Sequence, residues 1–176
     1  MASLRTSYPD GQRTQGAGPA AGHRFVWVSL HDPSPQELAA VQAEFGLPAS
    51  LADDLRITAK RPVLEVQGEL LVAVVKTASW VAVEETVRLG EVQLVLADGF
   101  VVSVDRDTGI LDRVRQDLQA DPELASAGPA AVLPSVADHA VEGYGRVLAA
   151  INDAVKRPRW RSSPLEGPGR PNASTS

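Results

Sequence analysis

The sequence predicts an α/β fold, a layered α+β sandwich with a mixed central sheet flanked by helices and a long C-terminal helix. Three observations point to it. Strand-sized, β-branched runs fill the middle of the chain, from Val63 to Val104. Tight-turn signals separate those runs at Gly68-Glu69 and Asp98-Gly99. Apolar residues at three- and four-residue spacing lie on either side of the block, as Leu38, Val41 and Phe45 before it and as a stripe from Leu133 to Ile151 after it.

Each element has its own local reason. Met1 to Gly22 is rich in Gly, Ser, Thr, Gln and Ala with almost nothing to bury, so residues 1–24 are expected to be disordered. Phe25 to Leu30 is aromatic and β-branched and reads as the first strand, ended by His31-Asp32-Pro33. Ser34 and Glu37 form a capping box with Pro35 at the first helical position, and the helix runs to Phe45, where Gly46 can close it. Ser50 and Asp53 have the form of a second box, which would put Asp53 and Asp54 in the first turn of a short helix. Pro62 pushes Arg61 into extended geometry and releases the chain into a strand.

Val63 to Gln67 and Leu70 to Thr77 then form a hairpin about Gly68-Glu69. Ser79 to Glu85 reads as a loop or a strand edge. Thr86 to Ala97 and Phe100 to Val104 form a second hairpin, and the latter is apolar on both faces, as for a strand covered on both sides. Asp105 to Thr108 leads into a helix from Ile110 to Ala120, where Arg113 and Arg115 are expected on the solvated face. The last helix spans Pro129 to about Val155. Its stripe of Leu133, Val136, Ala137, Ala140, Val141, Tyr144, Val147, Leu148 and Ile151 is wide enough to cover a sheet, and Tyr144 reads as core. One domain over residues 25–155 follows, with a basic, Pro/Gly/Ser-rich tail from 156 to 176 expected to be disordered.

Composition narrows the function. At 44% hydrophobic and 22% charged, the chain suits a globular protein with a real core, and without cysteine it has neither disulfides nor thiolate metal sites. No run approaches the roughly 20 apolar residues that cross a bilayer, and the amino terminus lacks a signal-peptide core, so the expected location is cytoplasmic. The tail from Lys156 holds five of the 17 basic residues and one of the 22 acidic ones, leaving the rest at −9. Such an acidic body disfavours nucleic acid and suits divalent cations. His23, His31 and His139 are scattered without metal-binding spacing, and no phosphate loop or nucleophile elbow occurs, so no enzyme is expected.

Phe45-Gly46-Leu47, Asp53-Asp54, Arg61-Pro62 and Leu64-Glu65 together resemble the cytosolic domain of CorA-type magnesium/cobalt transporters, with Asp53 for the usual Glu and Val63 for the usual Lys. Trp27, Leu30, Asp32 and Pro33 resemble its opening strand and turn, Gly99 to Val104 its central strand, and Asp138 and Tyr144 its long helix. The resemblance covers roughly three quarters of the chain and stops at Val155, before the family's stalk and membrane helices. Four prolines after Lys156 forbid a continuous stalk helix there, so that tail is expected to be out of the family's reading frame or a divergent terminus.

The resemblance implies a regulatory metal site at Asp54, with Asp53 and Asp138 as further acidic positions. It also implies weak Mg2+ binding, with Co2+ or Zn2+ as other candidate ions, and a homopentamer in the family. For this chain a monomer or weak assembly is expected. The leading expectation is thus a domain that binds Mg2+ to regulate the gating of a transporter, cut before the pore and not itself transport-competent. The alternatives are a free-standing regulatory or interaction module, or a non-functional remnant. The plain structural reading makes Asp53 and Asp54 a helix terminus and Asp138 a solvated face.

Overall fold

Alternation of apolar side chains sorts the strands into two faces, and each face carries a buried core. The computed structural model describes residues 4–9 and 23–156. Six strands, β1 (Leu4–Pro9), β2 (His23–His31), β3 (Val63–Gln67), β4 (Leu70–Val81), β5 (Thr86–Ala97) and β6 (Phe100–Arg106), form one sheet in the order β1-β2-β6-β5-β4-β3. β2 and β6 run parallel, and the other neighbours are antiparallel. The sheet is mixed, as the sequence predicts. Both expected hairpins form, and Gly68 and Gly99 adopt the left-handed conformations (φ 63° and 80°) that their tight turns require.

Phe25, Trp27, Leu94 and Val101 point to one face, where they pack with Ile110, Val114, Leu118, Val136 and Ala140 of α3 (Ile110–Ala120) and α5 (Val132–Lys156). Val28, Leu30, Val95, Val102 and Val104 point to the other face, against Leu38, Val41, Leu51 and Leu55 of α1 (Pro35–Phe45), α2 (Ala49–Asp54) and the turn that follows. The short α4 (Pro122–Ser126) and a 3₁₀ turn at Gly128–Ala131 join α3 to α5. β6 is buried on both sides, as its unbroken apolar run requires.

The capping box at the start of α1 is complete: Glu37 N–H donates to Ser34 Oγ, and the Ser34 backbone N–H donates to the Glu37 carboxylate at 2.8 Å. The Ser34 backbone N–H and the Ser34 hydroxyl both donate to the partly exposed Glu37 carboxyl and hold it below its ordinary range.

Several expectations are corrected. Leu4–Pro9, within the segment expected to be disordered, is a strand on the edge of β2, since backbone pairing does not require an apolar composition. Residues 10–22 and the tail from 157 lie outside the described residues. β4 runs on to Val81 through the segment left open between loop and strand edge. α2 begins at Ala49, one residue before Ser50, with Pro48 at the N-cap and no side-chain cap. Asp53 and Asp54 therefore sit in its last turn. Arg115 is buried, not solvated: its guanidinium stacks 4.8 Å over the Trp27 ring and pairs with Asp112 at 2.8 Å. The α5 stripe is only partly covered. Val136, Ala140 and Val147 face the sheet, whereas Val141, Leu148 and Val155 point away, and Tyr144 is 42% exposed.

One polar row crosses the sheet on the α2 side. Lys76 on β4, Glu91 on β5 and Arg106 on β6 are direct cross-strand partners. Glu91 is 2% exposed, in contact with Lys76 Nζ and 3.6 Å from Arg106 Nη1. The row then seizes the chain that leaves α2. Ala59 N–H donates to the Glu91 carboxylate, Lys76 donates to Ala59 O, and Gln93 Nε2 donates to Ile57 O. Arg106 Nη2 donates to Leu55 O at 2.8 Å.

Two outcomes follow from this packing. Glu91→Ala should lower the free energy of urea unfolding by about 3–5 kcal/mol, because it strands two cations and the Ala59 amide, with Glu91→Gln costing less. α5 lies so close to β4 that a Cβ on Gly143 would meet Ala78 O at 2.7 Å, while one on Gly145 meets nothing. Gly143→Ala should therefore destabilise by about 1–3 kcal/mol, and Gly145→Ala should stabilise by about 0.5–1 kcal/mol in the same assay.

Candidate functional site

The three acidic residues singled out in the sequence do not meet within one chain. Asp53 and Asp54 end α2 on one face of the sheet, and Asp138 is exposed on α5, which covers the other. Asp53 is exposed and lies 3.6 Å from Arg56 of its own chain, an exposed pair of little energetic weight. Asp54 is exposed, and its carboxylate has no ion-pair or hydrogen-bond partner among the described residues. Placement at the carboxyl end of α2 sets both side chains beside outward-pointing carbonyls, the reverse of the favourable first-turn position expected from the sequence.

The Asp54 backbone is held firmly. Ile57 N–H donates to Asp54 O at 3.3 Å, and Leu55, Ile57 and Ala59 are tied to the Lys76–Glu91–Arg106 row. Asp54 also borders a cavity of about 200 Å³ with Leu51, Leu55, Ile57, Val72 and Gln93. Gln93 is 3% exposed; its Nε2 donates to Ile57 O and Glu91 Oε1, and its Oε1 accepts no hydrogen bond among the described residues. The site therefore offers one outer carboxylate and one inner carbonyl oxygen, both hard donors.

A second, wider polar cleft of about 740 Å³ opens beside the row, lined by Asp32, Lys60, Lys76, Glu91, Arg106 and Asp107 among others. Tyr144 reaches its edge and donates from its hydroxyl to Lys76 O at 3.2 Å, so it bridges α5 to β4 instead of filling the core. Sequence reasoning missed Glu91, Gln93 and Arg106. The available signal was a charged and an amide side chain inside an otherwise apolar strand run, which a sheet tolerates only where partners exist. It also missed that His31, one of the scattered histidines, comes to lie beside Asp32 and Asp107.

Comparison with known proteins agrees with this architecture. The family model described as CorA-like Mg2+ transporter protein matches residues 22–159. Among curated proteins no significant sequence match is found. In fold the chain is similar to the full-length CmaX protein (15% identity, TM-score 0.68), covering 86% of this chain and 49% of that one. It is similar to the complete CorA magnesium transporter of Methanocaldococcus jannaschii (13% identity, TM-score 0.67, 89% and 49% covered). It is also similar to the ZntB cytoplasmic domain of Vibrio parahaemolyticus (12% identity, TM-score 0.64, 88% and 64% covered). The chain thus spans about half the length of the full-length structures it matches. No helix among the described residues is long and apolar enough to cross a membrane. With the family model matching well over half of its length, the chain belongs to the family of CorA-like Mg2+ transporter proteins.

Proposed function

We propose that this chain is the cation-sensing part of a CorA-like transporter, on the cytoplasmic side, and that Asp54 meets a hydrated divalent cation where two copies of the domain come together. The observation that carries this reading is the state of Asp54. It is the exposed carboxylate of the Asp53–Asp54 pair that lacks an intrachain partner among the described residues, and its backbone is fixed by the buried row beneath it. Exposed, oxygen-only donors suit Mg2+, which keeps most of its water and takes one or two carboxylates.

A single Asp54 is too few ligands for tight binding. Asp138 lies across the sheet and Asp53 is engaged with Arg56, so the remaining charge has to come from a second copy. Binding is therefore weak in the isolated chain and coupled to association. A cation that bridges two copies neutralises carboxylates which otherwise repel, and so favours the assembled arrangement over the separated one. Pore opening and transport belong to whole transporters such as the relatives, about half of whose length this chain spans.

Mg2+ titration followed by thermal melting and sedimentation tests the reading. At ten times its Kd, Mg2+ should raise stability by about 1.4 kcal/mol and shift the chain toward larger species. Asp54→Ala should remove both effects, while Asp138→Asn leaves at least the stabilisation. An unchanged response in Asp54→Ala would defeat the assignment.

A further inference from the structure

The parallel pairing of β2 with β6 sets their carboxyl ends side by side, with His31 opposite Asp105 in register. The two chains then part. α1 leaves β2 for one face of the sheet, and α3 leaves β6 for the other. A crevice outside the carboxyl ends of neighbouring parallel strands, where the connections diverge, is where open α/β sheets hold ligands. Here that crevice adjoins the cleft bordered by Asp32 and Asp107.

His31, Asp32 and Asp107 converge at this point. One ligand atom from each lies within 4.8 Å of the others, and all three residues are exposed. The two aspartates are held in place by the strand ends. Asp32 N–H donates to Asp105 O, and the Asp105 carboxylate accepts from both the backbone N–H and the hydroxyl of Thr108, which folds the turn carrying Asp107. Both have left-handed backbones, φ 42° and 59°, uncommon for a side chain other than glycine. Asp32 is 3.7 Å from His31, and Asp107 has no ion-pair partner among the described residues. Two carboxylates brought this close repel unless a cation lies between them.

We infer that His31, Asp32 and Asp107 form a divalent transition-metal site, separate from Asp54. One imidazole nitrogen and two carboxylates make a mixed donor set that suits Zn2+ or Co2+ and leaves positions open for water, whereas Mg2+ favours oxygen donors alone. The neighbouring Lys60 lines the same cleft and could attract an anionic co-ligand to an open position on the metal.

Co2+ titration of the full chain, read by visible absorption and by calorimetry, tests this. One equivalent should bind with the visible bands of a nitrogen-containing, low-coordinate site, and millimolar Mg2+ should not displace it. His31→Ala and Asp107→Asn, both exposed and so compatible with folding, should each weaken Co2+ by about tenfold or more, and His31→Ala should also change the spectrum. Asp54→Ala should leave Co2+ binding intact, which separates this site from the Mg2+ response. Co2+ bands that persist unchanged in His31→Ala, or the absence of a bound equivalent in the unmodified chain, would overturn the assignment.

Discussion

A carboxylate buried in a β-sheet is costly unless its own charge and lone pairs are answered, and Glu91 is answered by cations and N–H donors around it. Its register partners on both neighbouring strands are cations, Lys76 and Arg106. Its oxygens also accept from the Ala59 amide and from Gln93. The arrangement spends little of this on sheet pairing, which the backbone secures without it. Most of the polar capacity is directed at five residues of connecting chain, Leu55 to Ala59, between α2 and β3.

The consequence reaches the surface. α2 has six residues and no side-chain cap at its start, and a helix that short has little stability of its own. Leu51 and Leu55 anchor one side of it in the core, and the Glu91 row anchors the chain as it leaves. Asp54 is therefore presented from a fixed backbone although its side chain is exposed. A weak, hydrated contact with a cation tolerates a mobile side chain but not a mobile platform if it is to bias the packing of two copies. The buried row, and not the acidic pair itself, is what turns an ordinary helix terminus into a defined surface position.

Much of the fold was legible because the relevant signals are local. Gly68-Glu69 and Asp98-Gly99 mark their turns, the Ser34/Glu37 box starts α1 as read, and α3 spans the expected residues, Ile110–Ala120. The misreadings are tertiary. Ser50 and Asp53 satisfy a capping pattern, but Pro48 already supplies the entry geometry and burial of Leu51 and Leu55 sets the helix phase, so the acidic pair falls at the other end. Arg115 looks like a surface charge until Trp27 is placed under it. In α5, Val141, Leu148 and Val155 recur every seventh residue and form a second apolar stripe that the sheet does not reach. Of the proposed site, Asp54 was named from the family resemblance alone, whereas Glu91, Gln93 and Arg106 required the register of three strands. His31 and Asp107 are brought together only by the parallel pairing of two strands that are far apart in sequence.

The central claim is that a buried carboxylate immobilises the connection behind Asp54, and native-state hydrogen exchange at the Ala59 amide measures that directly. If Glu91 holds this amide, it exchanges as slowly as the core of β5 and is released only by global unfolding. Exchange as fast as that of the exposed Val83 turn would show that the clamp opens freely, and would contradict the account.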